Sequence, residues 1–370
     1  MNAGRTLNDL AAELTRQSES KKDYIAPQGV VEAVAVPGAN DLPRDIAVTG
    51  FNGGAMELTN YAHGQLSQHL GIPKAYYDRM RTEQPELLAG NVNTWLKADA
   101  GNKRMLRTLD GKVRAVLSPK YRPLDNFDLA NVVLPTLIEK KVQIVSAELT
   151  ETRMYIKGIL PALSDELPNG LAWGTGHNIL QQQDRGKLVA AIVISNSDIG
   201  NGTLRVEPSV FTTFCTNLAI MQQAAMKKYH VGRANQADDG FEVYRDETRQ
   251  ADDRAFWMKV SDVTMAAFEE KYFRAAIADI RRAAEQPIEG DVVQAVTVAV
   301  EQLALPPATS SGILKHLAAG GDLTQWGLSS AITRVAGEVN DYETATDLER
   351  AGGKVLVLPA TDWKRIATAA

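Results

Sequence analysis

The hydrophobic pattern of the chain changes its period near residue 103. Before that point apolar residues recur at helical spacing within residues 1–22 and again in short segments of residues 56–100. The runs 30–36 and 46–48 are rich in β-branched residues and predict strands or extended packing segments. The first part of the chain is therefore predicted to hold a short polar helix, an extended segment and a small helical unit.

Short alternating runs replace the helical pattern over residues 103–226. Arg104–Thr108 and Lys112–Leu117 flank Asp110-Gly111, a dipeptide that strongly predicts a tight β-hairpin. The other predicted elements are a helix from Asn126 to about Lys140, strands at Val142–Leu149, Arg153–Ile159, Leu188–Ser195 and Thr203–Val206, and a helix from about Ser209 to Met221. This order predicts an α+β fold in which antiparallel strand hairpins pack with helices.

The pattern from residue 236 onward is helical. The predicted helices are Arg249–Ala284, Val292–Leu303, Gly312–Ala319 and Leu328–Val339, and a last strand is predicted at Lys354–Leu358. We therefore expect three regions: an N-terminal helix and extended segment (1–55), an α+β core with antiparallel hairpins (56–235) and a mainly helical C-terminal region (236–370).

The composition is typical of a soluble globular protein. The chain has 370 residues, of which 44% are hydrophobic and 23% are charged. No apolar run approaches the ~20 residues of a membrane helix, and the N-terminus lacks the basic start and apolar core of a secretory signal. The single cysteine, Cys215, excludes an intramolecular disulfide and a multi-cysteine zinc site. We therefore expect a cytoplasmic protein with no membrane partner.

The residue types that usually carry catalysis do not form a recognisable set. Five histidines are present: His63, His69, His177, His230 and His316. None of them has the spacing of metal ligands. Cys215 lies among aromatic residues with no histidine nearby, which favours a buried apolar role over a nucleophile. The sequence predicts no cofactor, no metal and no enzymatic activity, and it leaves open a site built from carboxylates at distant positions.

One segment reverses the mildly acidic charge of the chain, whose formal net charge is −5. Residues 103–122 contain one acidic residue, Asp110, and seven basic residues: Lys103, Arg104, Arg107, Lys112, Arg114, Lys120 and Arg122. Tyr121 lies between the last two, and a second basic cluster follows at Lys227, Lys228 and Arg233. Single-stranded nucleic acid needs cations for its phosphates and rings that stack on its bases. The alternative is the solvated face of an antiparallel strand, where Lys and Arg serve solubility.

Four short segments stand in a characteristic order: SPKYRPLDN at 118–126, ISNSDIG at 194–200, FCTN at 214–217 and AITRVA at 331–336. In this order they resemble the phage/plasmid-like family called domain of unknown function 932, and the resemblance runs from about residue 50 to the C-terminus. Leu218 departs from the family pattern, in which a glycine commonly follows the Cys-Thr-Asn motif. The resemblance implies an origin on mobile elements, where proteins of DNA replication, recombination and host defence are common. It implies no catalytic residue.

These observations predict a DNA-binding protein of a phage or plasmid that binds or anneals single-stranded DNA in recombination or replication, alone or as a homo-oligomer. All seven basic residues of 103–122 are expected to line one open channel that binds nucleic acid. Of these, Lys112, Arg114, Lys120 and Arg122 would hold the phosphates of the strand in this groove, with Tyr121 stacking on a base. The second basic cluster would extend the groove. Two alternatives stay open: a protein-interaction module that inhibits a host defence enzyme, and a hydrolase or nuclease whose site is assembled from distant carboxylates.

Overall fold

The computed structural model describes residues 4–36, 45–166, 187–213, 217–221, 226–228 and 246–370. Over these ranges the chain forms antiparallel sheets packed with twelve helices, which confirms the α+β prediction. No helix of the described ranges combines the length and the apolar character needed to cross a bilayer. The division of the chain at residues 55 and 235 stays a prediction.

The N-terminal segment forms a helix and an edge strand. Helix α1 (Leu7–Ser20) begins after Thr6, whose hydroxyl accepts the backbone N–H of Asp9. Its buried residues are Leu10 and Leu14, which join the largest apolar core formed by the described residues. Strand β1 (Lys22–Pro27) follows after one residue and pairs with a strand formed much later in the sequence.

A small sheet with three neighbouring helices forms a second core. Its strands are β2 (Glu32–Val36), β3 (Asp45–Thr49) and β4 (Met56–Glu57). The helices are α2 (Asn60–His69), α3 (Lys74–Glu83) and α4 (Pro85–Ala98). Apolar side chains of these elements pack together with those of the hairpin that follows. The predicted helical unit is therefore confirmed, as three separate helices.

The predicted hairpin is confirmed as β5 (Lys103–Leu109) and β6 (Lys112–Leu117). Asp110 and Gly111 have φ values of 51° and 75°, and a two-residue type I′ turn requires a positive φ at both positions. β1 pairs antiparallel with β5, so the strand order of this sheet is β1-β5-β6. Arg16 and Ser20 of α1 donate to the Asp110 carboxylate and hold the turn against that helix.

The main sheet is assembled from the middle of the chain. Its strands are β7 (Gln143–Leu149), β8 (Met154–Glu166), β9 (Lys187–Asn196), β10 (Leu204–Thr212), β11 (Asn217–Ile220) and β12 (Met226–Lys228). The order is β11-β10-β9-β8-β7, and β12 also pairs with β10. All these pairings are antiparallel. The four strands predicted between residues 142 and 206 are therefore confirmed, with shifted ends.

Helices cover both faces of the main sheet. One face shares its apolar core with α1, α5 (Asn126–Glu139), α6 (Asp246–Ala266) and α7 (Glu270–Ala284). The other face contacts α10 (Gln325–Ala336) and α11 (Tyr342–Leu356). A further core joins these two helices to α8 (Val292–Gln302), α9 (Ser310–Gly320) and α12 (Ala360–Ala367).

The helix predicted from about Ser209 to Met221 is wrong, because the segment contains the end of β10, up to Thr212, and β11. Phe211 and Leu218 pack on one face of the sheet, whereas Val210 and Ala219 pack on the other. A strand that is buried on both faces gives a continuous apolar run, which periodicity does not distinguish from a helix. Leu218, which stands where the resembled family commonly has glycine, is buried in this packing.

Two predictions in the C-terminal region are corrected as well. The strand predicted at Lys354–Leu358 is wrong, because α11 continues to Leu356 and buries both Val355 and Leu356. Such a short apolar run fits the buried end of a helix as well as a strand. The single helix predicted over residues 249–284 is two helices, α6 and α7, which are separated at residues 267–269.

Gly111→Ala is expected to lower the free energy of unfolding by about 1 kcal/mol, because the positive φ at this position strains any other residue. Nothing lies within 4 Å of the place that a Cβ would take, so backbone strain and not a clash would cause the loss. Gly90→Ala in α4 is the matched control, since its surroundings are equally open and its backbone is helical. It should raise the free energy of unfolding by about 1 kcal/mol. Urea denaturation measures both changes, and equal effects would contradict the turn assignment.

Candidate nucleic-acid interface

Arg107 lies inside the protein and not on a basic surface. It belongs to β5, and its side chain is fully buried. Its Nε donates to Asp23 Oδ1 at 2.9 Å and its Nη2 donates to Asp125 Oδ1 at 2.6 Å. Its Nη1 donates to the backbone oxygen of Asp198. The guanidinium is therefore occupied by acceptors from three separate segments of the chain.

Arg114, on β6, is buried as well. Its Nη1 and Nη2 donate to the two carboxylate oxygens of Asp198 at 3.3 and 3.1 Å. Asp198 is 6% exposed and Arg114 is 7% exposed. The expectation that Arg107 and Arg114 line an open channel is therefore corrected: their charges balance buried carboxylates, and a phosphate has no access to them in this structure.

These ion pairs are joined by the hydrogen bond from Arg107 to the backbone of Asp198. We call the connected group the junction network: Lys21, Asp23, Arg107, Arg114, Asp125 and Asp198. Its three cations face three carboxylates, so the group is neutral. Burial acts to raise the pKa of Asp125, but the positive charges of Arg107 and Lys21 outweigh it and lower that pKa. Burial also opposes the charge of Arg107, yet Asp125 and Asp23 raise its pKa above the ordinary value. The shifts of both groups therefore favour the charged form of the Arg107–Asp125 pair, which joins two separate segments of the chain.

The other basic residues of the hairpin do not gather at one place. Lys103 and Lys112 are exposed, and Arg104 is half-buried. Lys112 pairs with the exposed Glu57 at 2.8 Å, in an ion pair that water screens strongly. Lys103 begins β5 and Lys112 follows the turn, so the two lie at opposite ends of the hairpin, about 20 Å apart. The hairpin therefore does not present a continuous basic stripe.

Tyr121 and Arg122 also contact other residues of the protein. Lys120, which precedes them in the chain, is exposed. The hydroxyl of Tyr121 donates to the backbone oxygen of Ser197 at 3.3 Å, and burial raises its pKa. Arg122 contacts Asp253, and its guanidinium lies 5.0 Å from the ring centre of Phe256. These contacts give both partly exposed side chains a structural role, and the expectation that they hold a base and a phosphate stays a prediction.

Two of the segments that carry the family resemblance contact each other directly. Asn196 belongs to segment 194–200 and is fully buried. Its Nδ2 donates to the backbone oxygen of Leu124 at 2.6 Å and to Asn126 Oδ1 at 2.9 Å. Segments 118–126 and 194–200 therefore meet at the start of α5, and their polar side chains have structural roles there.

Two arginines that the sequence analysis missed lie at the end of the main sheet, beyond this loop. Arg205 of β10 stands opposite Ser195 of β9, and Tyr155 of β8 stands opposite Ser195 on its other side. Arg153 comes directly before β8, and its Nε donates to the backbone oxygen of Asn201 at 2.6 Å. Because residues opposite each other or two apart share a face, Arg153 and Arg205 belong to the same end and face of the sheet.

Strand β12 places the backbone of Lys227 and Lys228, two residues of the second basic cluster, at this end of the main sheet. The backbone of Lys227 pairs with Arg205, and Lys228 pairs with Leu204. Arg233 lies outside the described residues. We call Arg153, Arg205 and the strand position of Lys227 the arginine edge. No local signal marks the two arginines, since each is an isolated cation in its own segment, and only the pairing of β8, β9 and β10 brings them together.

Arg205 lies close to a carboxylate that also binds a second arginine, Arg350. Among the described residues, the carboxylate that lies within 4 Å of the Arg205 guanidinium is that of Glu207. The distance from Arg205 Nη1 to Glu207 Oε1 is 3.7 Å. Glu207 already accepts hydrogen bonds from Arg350 Nε and Nη2 at 3.0 and 2.8 Å. Burial lowers the pKa of Arg205, the positive charges of Arg350 and Arg153 lower it further, and the carboxylates of Glu207 and Asp347 offset only part of this effect. The edge therefore carries positive charge that the protein compensates only in part.

Helix α11 is fixed beside the arginine edge by a second buried ion pair. Lys157 Nζ lies 2.6 Å from Glu349 Oε2, and the two side chains are 1% and 2% exposed. Lys157 also lies 4.5 Å from the ring centre of Tyr342. Burial lowers the pKa of Lys157 and raises that of Glu349, so each group depends on the other for its charge. Removal of either partner would leave an unpaired charge inside the protein.

His63 belongs to the core around α2. It is fully buried, its Nδ1 lies 2.9 Å from the Tyr77 hydroxyl, and its Nε2 lies 3.6 Å from Asp45 Oδ1. Burial and then the charge of Arg81 lower its pKa to about 4, so the ring is neutral at pH 7. In the described ranges no group of His, Cys, Asp and Glu side chains is arranged to hold a metal ion. His177, Cys215 and His230 lie outside those ranges.

Asp198→Asn is expected to lower the free energy of unfolding by about 3 kcal/mol, because it leaves the buried Arg114 without its carboxylate. Glu83→Gln, which removes the partner of the exposed Arg79, is the matched control and should change it by less than about 0.5 kcal/mol. Urea denaturation at neutral pH measures both variants. A stability of Asp198→Asn close to that of the wild type would contradict the structural role of the junction network.

Acidification from pH 6.5 to pH 4 is expected to remove up to about 3 kcal/mol of stability through His63. The pKa of His63 is about 4 in the folded protein and has its ordinary value of 6.5 in the unfolded chain. The unfolded state therefore binds a proton first as the pH falls, and stability is lost between these two values. Urea denaturation across this pH range measures the loss. His63→Gln should show a shallower decline, and identical slopes would overturn the assignment.

No family model matches this chain, and neither a curated protein nor a solved structure is significantly similar to it. The resemblance to the domain of unknown function 932 therefore stays a prediction, and a function has to be inferred from the geometry of the site.

Proposed function

We propose that this protein binds single-stranded nucleic acid and holds its phosphates at the arginine edge. The charge of Arg205 is the observation that carries the proposal: its guanidinium is half-buried, shares Glu207 with Arg350 and lies near Arg153. A phosphate would supply the missing negative charge and would accept two parallel hydrogen bonds from the planar guanidinium. Because phosphates repeat along a strand, neighbouring ones can contact the other cations of the edge.

The second basic cluster supports the same partner. Lys227 is paired with Arg205 in the sheet, so the basic run predicted from the sequence continues the arginine edge. The chain as a whole has a net charge of −5, and a local excess of cations would therefore orient an anionic partner toward this edge. A role in recombination, annealing or replication of phage or plasmid DNA in the cytoplasm extends the proposal.

Arg205→Ala is expected to weaken the binding of a labelled oligo(dT) about tenfold and to reduce the slope of affinity against salt by about one, because one phosphate contact is lost. Fluorescence anisotropy over a series of NaCl concentrations measures both quantities. Arg205→Lys keeps the charge and loses the bidentate geometry, so its affinity should lie between those of the wild type and Arg205→Ala.

Arg79→Ala is the matched control for this experiment. Arg79 is an exposed arginine of α3, paired with Glu83 at 3.0 Å, and its removal should leave the affinity and the salt slope unchanged. The proposal is contradicted if the wild type binds no oligonucleotide, or if Arg205→Ala binds as tightly as the wild type. Retention of a host protein under those conditions would favour the alternative function, inhibition of a host defence enzyme.

A further inference from the structure

A cavity of about 430 Å³ adjoins the arginine edge, between α11 and the turn of residues 303–306 that follows α8. Arg350 lines the cavity, and the same side chain reaches Ser195 and Glu207 on the main sheet. Asp347, also in the wall, lies near enough to Arg205 to influence its pKa. The cavity therefore lies beside the arginine edge, and Arg350 links the two through Glu207.

The walls of the cavity combine apolar faces with a few polar groups. Leu303, Leu305 and Pro306 line it from the turn, and Leu348 and Ala351 line it from α11. Walls of this kind suit a flat, mostly apolar group, for which a small number of polar side chains provide orientation.

The polar groups of the cavity come from α11. They are Thr344, Asp347 and Lys354, beside Arg350. The carboxylate of Asp347 accepts from Arg350 Nη1 at 2.8 Å but remains 69% exposed, so it keeps lone pairs for a second donor. Lys354 is exposed and carries donors only. The site therefore offers both an acceptor and a donor to a group that enters it.

The turn that forms the other wall has an unusual backbone. Ala304 has a φ of 53°, a left-handed conformation that residues other than glycine seldom adopt. The N–H of Leu305 donates to the backbone oxygen of Val300 at 2.9 Å, so this conformation belongs to the C-terminal cap of α8. The turn is therefore held in one shape opposite α11.

We propose that this cavity takes one unstacked base of the single strand whose phosphates lie on the arginine edge, an inference that rests on the proposed function. Its volume lies within the range of about 300–1,000 Å³ that ligand pockets have. The apolar walls would contact the faces of the base, Asp347 would accept from its N–H groups, and Lys354 would donate to its oxygens. A base in a duplex stays stacked and paired, so the cavity favours single strands.

The test compares oligo(dT) with an abasic oligomer of the same length, which keeps the phosphates and lacks the bases. The wild type is expected to bind oligo(dT) about tenfold more tightly, the effect of stacking one base. Thr344→Trp fills the cavity from α11 and should abolish this preference, while the salt slope stays that of the wild type. Leu305→Trp fills it from the opposite wall and should act in the same way, so the test does not depend on the folding of one variant.

Thr94→Trp on the exposed side of α4 is the matched control, and it should keep the preference for bases. If the cavity variants keep their circular dichroism spectra and still prefer oligo(dT) as the wild type does, the cavity does not hold a base, whereas a weakened Arg205→Ala would still support the phosphate contact. If Arg205→Ala binds as tightly as the wild type, the proposed function fails. Equal affinity of the wild type for both oligomers would contradict the base site directly.

Discussion

The burial of Arg107 is the constraint on which the arrangement of this protein depends. A guanidinium keeps its charge inside a protein, so each donor that is removed from water needs an acceptor. Arg107 finds its acceptors on β1, at the start of α5 and in the loop after β9, through Asp23, Asp125 and the backbone of Asp198. The sheet β1-β5-β6, α5 and the main sheet therefore meet at the side chain of Arg107.

The same requirement decides where positive charge remains at the surface. Along the hairpin, Arg107 and Arg114 face carboxylates of the junction network, and the exposed Lys103 and Lys112 lie at opposite ends. At the end of the main sheet the balance differs, since Glu207 is bound in bidentate fashion by Arg350 while Arg205 lies 3.7 Å away. Pairing of buried charges thus removes one candidate surface and leaves another.

Local signals predicted local structure well where the backbone leaves few choices. Asp110-Gly111 specified the hairpin, because few residues accept a positive φ at two successive positions. The prediction failed over residues 209–221 and 354–358, where short apolar runs are buried on more than one side. There the period of the pattern is lost, and only the neighbouring elements decide between strand and helix.

The order of residues alone specifies the α+β class, most strands and helices and the presence of two basic clusters, because these properties depend on neighbours a few positions away. Folding in three dimensions sets which cations are buried and which face solvent. The partners concerned lie far apart in the chain: Arg107 and Asp23 are separated by 84 residues, and Arg350 and Glu207 by 143. Since the cost of burying a charge depends on the distance to its counter-charge, the exposed charge of this protein is a property of its packing.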